Sequence, residues 1–167
     1  NGDLSTIKDY TYFMDKPDVI FHLAAIPRIQ PSIKEPVLVL NNNIVSTVNV
    51  LDYARQKNCN VVFASSSSVG GSTFANPYTM SKQIGEELCL LYNHVYGTKN
   101  TVVRFYNVYG DRMLGDTEFG TVLGIWLDRY QRGLSLKITG DGTQRRDFTH
   151  VDDIVEGLIT MADNPET

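Results

Sequence analysis

The chain is expected to fold as an α/β protein around a doubly wound parallel sheet. Three observations point there: short apolar runs alternate with longer segments of helical period, the run Val61 to Ala64 is apolar without alternation, and the first two runs end in alanines or serines. Asp18-Val19-Ile20-Phe21-His22-Leu23, closed by Ala24-Ala25, reads as the first strand, and Pro27 with Pro31 marks the loop after it. A helix is predicted from Glu35 to Lys57, where Leu38, Leu40, Ile44, Val48, Leu51 and Ala54 recur at helical spacing and Pro36 is tolerated in the first turn. Asn60 to Ala64 forms the second strand and runs into the serines Ser65 to Ser68. The next helix spans Tyr78 to Tyr96, with Ile84, Leu88, Leu91 and Val95 as its apolar stripe and Gly97 as its stop. Thr101 to Phe105 completes a β-α-β-α-β order. Beyond Gly110, a Gly-rich acidic loop precedes a helix at Thr121 to Gln131, a short strand at Leu136 to Ile138, a turn at Gly140-Asp141-Gly142 and a last helix from Asp152 to Ala162.

With 42% hydrophobic and 20% charged residues among 167, the chain has the make-up of an ordinary globular domain with a core of its own. Its apolar stretches fall short of a membrane span and no segment has a signal-peptide layout, so no membrane association and a cytoplasmic setting are expected. A net charge of -4 with scattered Lys and Arg argues against nucleic acid as a partner. Cys59 and Cys89 lack C-x-x-C spacing and are expected to be buried, unpaired thiols; no metal site is suggested.

The chemistry centres on Tyr78-Thr79-Met80-Ser81-Lys82. A phenol is too weak an acid to exchange protons near neutrality without a cation beside it and a hydroxyl to steer the substrate. Residues four apart share a helix face, so Lys82 stands one turn from Tyr78 and favours its phenolate. Y-x-x-x-K alone is a common helical coincidence. Here a buried strand delivers serines to the C-terminal edge of a parallel sheet, which is where such folds bind ligands.

These segments resemble the extended short-chain dehydrogenase/reductase superfamily, in particular its nucleotide-sugar epimerases and dehydratases, over nearly the whole chain. Gly2-Asp3-Leu4 looks like the adenine-contacting segment, and His22-Leu23-Ala24-Ala25 like the cofactor-contacting strand end. Asn43 falls on the helix asparagine, Ser65-Ser66-Ser67 with Tyr78 and Lys82 on the catalytic set, and Arg104 to Gly110 on the strand-to-loop motif. Gly140 to Phe148 resembles the segment whose arginine holds a sugar-nucleotide diphosphate. The resemblance implies a Rossmann-like fold that uses NAD, with NADP left open. It implies Ser66, Tyr78 and Lys82 as catalytic residues, with Ser67 able to share the steering role. Asp3, Leu4, Leu23, Ala24, Ala25, Asn43, Tyr78, Lys82 and Tyr106 would contact the cofactor, and Ser66, Ser67, Tyr78, Asn107 and Arg146 the nucleoside-diphosphate sugar. It further implies a homodimer through the helices following Glu35 and Tyr78.

The chain departs from that pattern in several places. No strand is followed by G-x-x-G-x-x-G, the loop that receives a dinucleotide pyrophosphate, so the expectation is the middle of a protein roughly twice as long, which alone binds a dinucleotide poorly. Residues 1–112 would be the central part of the dinucleotide-binding domain, and 113–167 the start of the substrate region, returning to the first domain near 144–162. Gly70 replaces the usual tyrosine, and the segment from Gly71 to Tyr78 is short. Dehydratases and decarboxylases of the superfamily place acidic residues after the steering hydroxyl, where this chain has Ser67 and Ser68. Epimerisation of a UDP-hexose at C4 is therefore the favoured reaction. A sugar-nucleotide reductase or dehydratase and a catalytically idle sugar-nucleotide-binding module are the alternatives.

Other residues have plainer readings. His22 is expected to be a satisfied core histidine, and Asp152 and Asp153 to favour a helix N-terminus. Arg145 reads as a solvated neighbour of Arg146.

Overall fold

The computed structural model describes residues 2–6 and 17–164. Three strands, β1 (Val19–His22), β2 (Asn60–Ser66) and β3 (Thr101–Phe105), form a parallel sheet in that order. The register runs from Val19 opposite Asn60 to Ser66 opposite Phe105. Helix α1 (Ile29–Lys34) and helix α2 (Pro36–Lys57) carry the chain from β1 to β2, and helix α3 (Pro77–Tyr96) carries it from β2 to β3. Parallel neighbours need such crossovers, and α2 and α3 pack on each other and on the sheet. Central strand β2 is covered on both sides, which is why its sequence is apolar without alternation. The core gathers Val50, Leu51 and Ala54 of α2, Cys59, Val61 and Phe63 around β2, and Cys89 of α3.

Local signals fix the ends of α3. Asn76 accepts a hydrogen bond from the Thr79 backbone N–H at 2.9 Å, and Pro77 occupies the first helical position. Gly97 ends the helix in the left-handed conformation, φ 69°. Helix α2 begins at Pro36, one residue after the expected Glu35, which takes the N-cap position. The loop expected around Pro31 instead contains α1, because a proline in a first turn removes no N–H that a helix would use.

Two expectations are corrected. The expected apolar stripe of α3 does not all face the core: Leu91 is 49% and Val95 55% exposed. The buried face carries Ser81, Lys82, Gly85, Glu86 and Cys89, of which Lys82 and Glu86 are bonded to the strand ends and Ser81 to Asn43 and the Tyr78 carbonyl. No strand forms at Leu136 to Ile138. There the carbonyls of Ser135 and Lys137 accept from Arg129 Nε and Trp126 Nε1, at 2.7 and 2.8 Å, so side chains take the place of a ladder.

The chain divides into two compact units, one reaching to Phe105 and resuming at Gly157, the other Tyr106–Glu156. The second has a short parallel pair, β4 (Val108–Tyr109) with β5 (Thr149–His150), and helix α4 (Val122–Gln131), capped by Thr121. Side chains on Gly120 and Gly124 would come within 2.1 Å of the Gly115 and Leu114 carbonyl oxygens, so this glycine-rich loop packs backbone on backbone. Helix α5 (Val151–Asp163) starts directly after β5, with Asp152 and Asp153 in its first turn.

Candidate active site

Helix α3 presents Tyr78 in its first turn and Lys82 one turn later. Lys82 is 5% exposed, and its Nζ donates to the Ala64 carbonyl at 2.7 Å and lies 5.0 Å from the centre of the Phe63 ring. Burial disfavours the ammonium and lowers its pKa to about 8. The group is therefore a cation at neutrality, with N–H bonds left beyond the one spent on Ala64.

Ser66 is the last residue of β2 and caps the 3₁₀ turn Ser67–Gly70. Its Oγ accepts from the Ser68 backbone N–H at 3.2 Å and from Ser68 Oγ at 3.0 Å. Both bonds use oxygen lone pairs, so the Ser66 proton remains free to be donated. Ser65, one residue earlier, faces the opposite side of the strand and donates to Glu86 on α3. Ser67 is half-buried within the turn.

At the end of β1, Leu23 and Ala24 are exposed and Ala25 is half-buried. Asn43 on α2 fastens the segment that follows. Its Oδ1 accepts from the Ile26 N–H at 2.8 Å, and its Nδ2 donates to the Ile26 carbonyl at 3.1 Å and to Ser81 Oγ at 3.0 Å. Ser81 Oγ donates in turn to the Tyr78 carbonyl at 2.8 Å, so one buried amide joins the β1 edge to the turn bearing Tyr78. His22 is buried, with Nε2 3.0 Å from Thr47 Oγ1. Asp3 accepts from the backbone and side chain of Ser5, bonds that hold its carboxyl below the usual range. Asn49 donates to the Leu4 carbonyl at 2.8 Å, and Leu4 packs against the core.

Tyr106, Asn107 and Arg146 belong to the second unit. Asn107, at φ 32°, donates to the carbonyl of Asp147 at 2.8 Å, so the β4–β5 pairing brings it beside the segment of Arg146. Arg146 is exposed and donates to the Arg145 carbonyl at 2.8 Å; Tyr106 is exposed as well. Ser65 and Arg104 fall within quoted motifs without a role of their own and Glu86 within none; the structure joins the three through one carboxylate. Glu86 continues the four-residue series Tyr78, Lys82, Glu86, and that was the available signal.

The model of the NAD dependent epimerase/dehydratase family matches residues 1–167. The chain belongs to this family. Among its relatives is the UDP-glucuronate 4-epimerase of Thermodesulfobacterium geofontis, 34% identical over 84% of this chain and 46% of the relative. Another is the UDP-N-acetyl-alpha-D-glucosaminuronate decarboxylase of Bacillus cytotoxicus, 32% identical over 90% of this chain and 51% of the relative. Among solved structures, the UDP-N-acetylglucosamine 4-epimerase of Methanobrevibacter ruminantium, in complex with UDP-N-acetylmuramic acid, superposes with a TM-score of 0.86 at 28% identity, covering 98% of this chain and 55% of that one. The chain spans about half the length of the relatives it matches. The Rossmann-like α/β fold expected from the sequence is thus the fold of the family.

The residues present fit the cofactor of an NAD-dependent family over part of its length. The exposed edge at Leu23 and Ala24 offers an apolar path, and Lys82 has N–H bonds to spare at the end of β2. Among the described residues no strand is followed by G-x-x-G-x-x-G, the loop that receives a dinucleotide pyrophosphate.

Proposed function

We propose that this chain carries the acid–base centre of a nucleotide-sugar 4-epimerase acting on a UDP-hexose. The observation that carries the reading is the buried Lys82 cation, fixed on Ala64 one helical turn from Tyr78. In this reading the Lys82 charge favours the Tyr78 phenolate, which takes a proton from the sugar hydroxyl, while Ser66 donates its free proton to orient that oxygen. NAD, when bound, supplies the redox chemistry by accepting and returning a hydride. Leu23, Ala24 and Ala25 would line its path, Lys82 would reach its ribose, and Asp3, Leu4, Asn43 and Tyr106 would complete the contacts. Asn107 and Arg146 would hold the nucleotide diphosphate, for which a guanidinium fork is suited. Ser67 and Ser68 provide no carboxylate beside Ser66, which favours epimerisation over the dehydratase and decarboxylase branches.

The decisive comparison is Tyr78→Phe in the full-length protein. Interconversion of UDP-glucose and UDP-galactose should vanish while the fold is retained; undiminished turnover would reject the reading. The apolar residues left uncovered on α2 and α3, Leu38, Leu91 and Val95 among them, support a homodimer through these helices. Sedimentation of the full-length protein as a monomer only would reject that part.

A further inference from the structure

Glu86 is 8% exposed, yet it is a carboxylate in the middle of a helix. Buried carboxylates are costly unless bonded, and this one has three donors. Arg104 Nε donates to Oε1 at 2.8 Å and Arg104 Nη2 to Oε2 at 2.7 Å, the two-pronged form of the pair; Ser65 Oγ also donates to Oε1. Burial alone would raise the Glu86 pKa, but the bonds from Arg104 and Ser65 outweigh it and hold the carboxyl below its usual range, so it stays ionised.

The partners are not scattered. Ser65 and Arg104 stand opposite one another in the β2–β3 ladder, and the only pair beyond them is Ser66 with Phe105. Glu86 therefore ties both strands to α3 at the last rung but one of the β2–β3 ladder. On that helix Tyr78, Lys82 and Glu86 occupy successive turns of one face, so the clamp lies about 12 Å along the axis from Tyr78. On the strand, Ser65 precedes Ser66 directly, and Ala64, which accepts from Lys82, precedes Ser65. The clamp thus sits between the two elements whose separation sets the distance from Ser66 on β2 to Tyr78 and Lys82 on α3.

We infer that Glu86 is a positioning residue: through Ser65 and Arg104 it locks the ends of β2 and β3 onto α3 and so fixes Ser66 against the Tyr78–Lys82 face. This rests on the acid–base reading of that face. A misplacement of about 1 Å at a reacting group is enough to lower a rate by roughly 100-fold, so the effect belongs in kcat rather than in binding.

The test measures UDP-glucose/UDP-galactose interconversion by the full-length protein with NAD bound, for Glu86→Gln, Ser65→Ala and the double variant. Glu86→Gln keeps the side-chain size and loses the charge. It should lower kcat about 10- to 100-fold per folded molecule, with KM and NAD content unchanged. Ser65→Ala, which leaves the Glu86–Arg104 pair intact and serves if Glu86→Gln does not fold, should lower kcat several-fold with the same split. The double variant should cost no more than Glu86→Gln alone, because both cut the same link. A kcat within twofold of wild type for folded Ser65→Ala, a loss appearing in KM, or additive effects in the double variant would each overturn the inference. Tyr78→Phe separates the two failures: if it stays active the acid–base reading falls, and if it is inactive while Ser65→Ala and Glu86→Gln are normal, only the positioning role falls.

Discussion

A β-carbon built on Gly85 stands 2.3 Å from Cζ of Phe63 and 2.8 Å from its Cε1. Phe63 is 2% exposed within the central strand and has no room to withdraw. The glycine therefore allows α3 to lie flat on β2, close enough for Lys82 to reach the Ala64 carbonyl. Alanine is the better helix former by about 1 kcal/mol, but overpacking a filled core costs about 1–3 kcal/mol. The clash should win. Gly85→Ala is expected to lower the denaturant midpoint and to reduce turnover more than the lost folded fraction explains, whereas a more stable Gly85→Ala protein would show that this contact does not set the helix height.

The first turn of α3 depends on Asn76, whose Oδ1 accepts from the Thr79 N–H while Pro77 lacks an N–H to satisfy. Loss of such a cap costs about 1 kcal/mol. Asn76→Ala should cost about that much in urea unfolding and should weaken turnover, because Tyr78 stands in the turn that frays. Asn76→Asp keeps an acceptor and should restore most of both, so equal losses in the two variants would argue against the cap.

His22 makes folding stability depend on mildly acidic pH. Thr47 spends its single hydroxyl proton on the Asn43 carbonyl at 2.7 Å, so His22 Nε2 is the donor in the 3.0 Å pair with Thr47 Oγ1. Burial, aided by the Lys82 charge, lowers the His22 pKa from 6.5 to about 4. The unfolded chain then binds the proton first. Stability from this group is complete above pH 6.5 and falls as the pH drops toward 4, by at most about 3 kcal/mol. His22→Gln, whose amide still donates, should flatten that part of the pH–stability curve; an unchanged slope would place the acid sensitivity elsewhere.

Elements with strong local signals were legible in the sequence, among them β3 and the long helices marked by Pro36 and by Gly97. The orientation of α3 was not. A reading by hydropathy turns Leu91 and Val95 inward, whereas the core side of this helix is polar, because Lys82 and Glu86 are satisfied by Ala64, Ser65 and Arg104. Those partners lie 18 or more residues away in sequence, beyond the reach of any local pattern. The strand expected at Leu136 to Ile138 failed for a similar reason, since Trp126 and Arg129 of α4 claim the neighbouring carbonyls. Tyr78, Lys82 and Ser66 were legible as a set only because strand, serines and helix follow one another in sequence.

Stability and catalysis should separate at Lys82. Among the described residues its Nζ meets the Ala64 carbonyl and the Phe63 ring but no carboxylate, so a nearly buried cation stands without a counter-ion. With a folded pKa of about 8 against an ordinary 10.5, the unfolded chain binds more protons between those values, and stability rises as the pH climbs through that window. Below pH 8 the folded state carries the full cost of the buried charge, about 3 kcal/mol, partly offset by about 1 kcal/mol for the bond to Ala64. Lys82→Met fills the same space without the charge. It should be more stable than wild type by about 2 kcal/mol at pH 7, an advantage that reverses to about 1 kcal/mol in favour of wild type by pH 10.5 as the wild type gains about 3 kcal/mol, and it should be inactive throughout. On the proposed acid–base reading, wild-type kcat should fall above pH 8, as the Lys82 ammonium is lost. Denaturant titrations of both proteins from pH 7 to 10.5 read the first effect directly, and a Lys82→Met protein less stable than wild type at pH 7 would mean that the ammonium is anchored well enough to repay its burial.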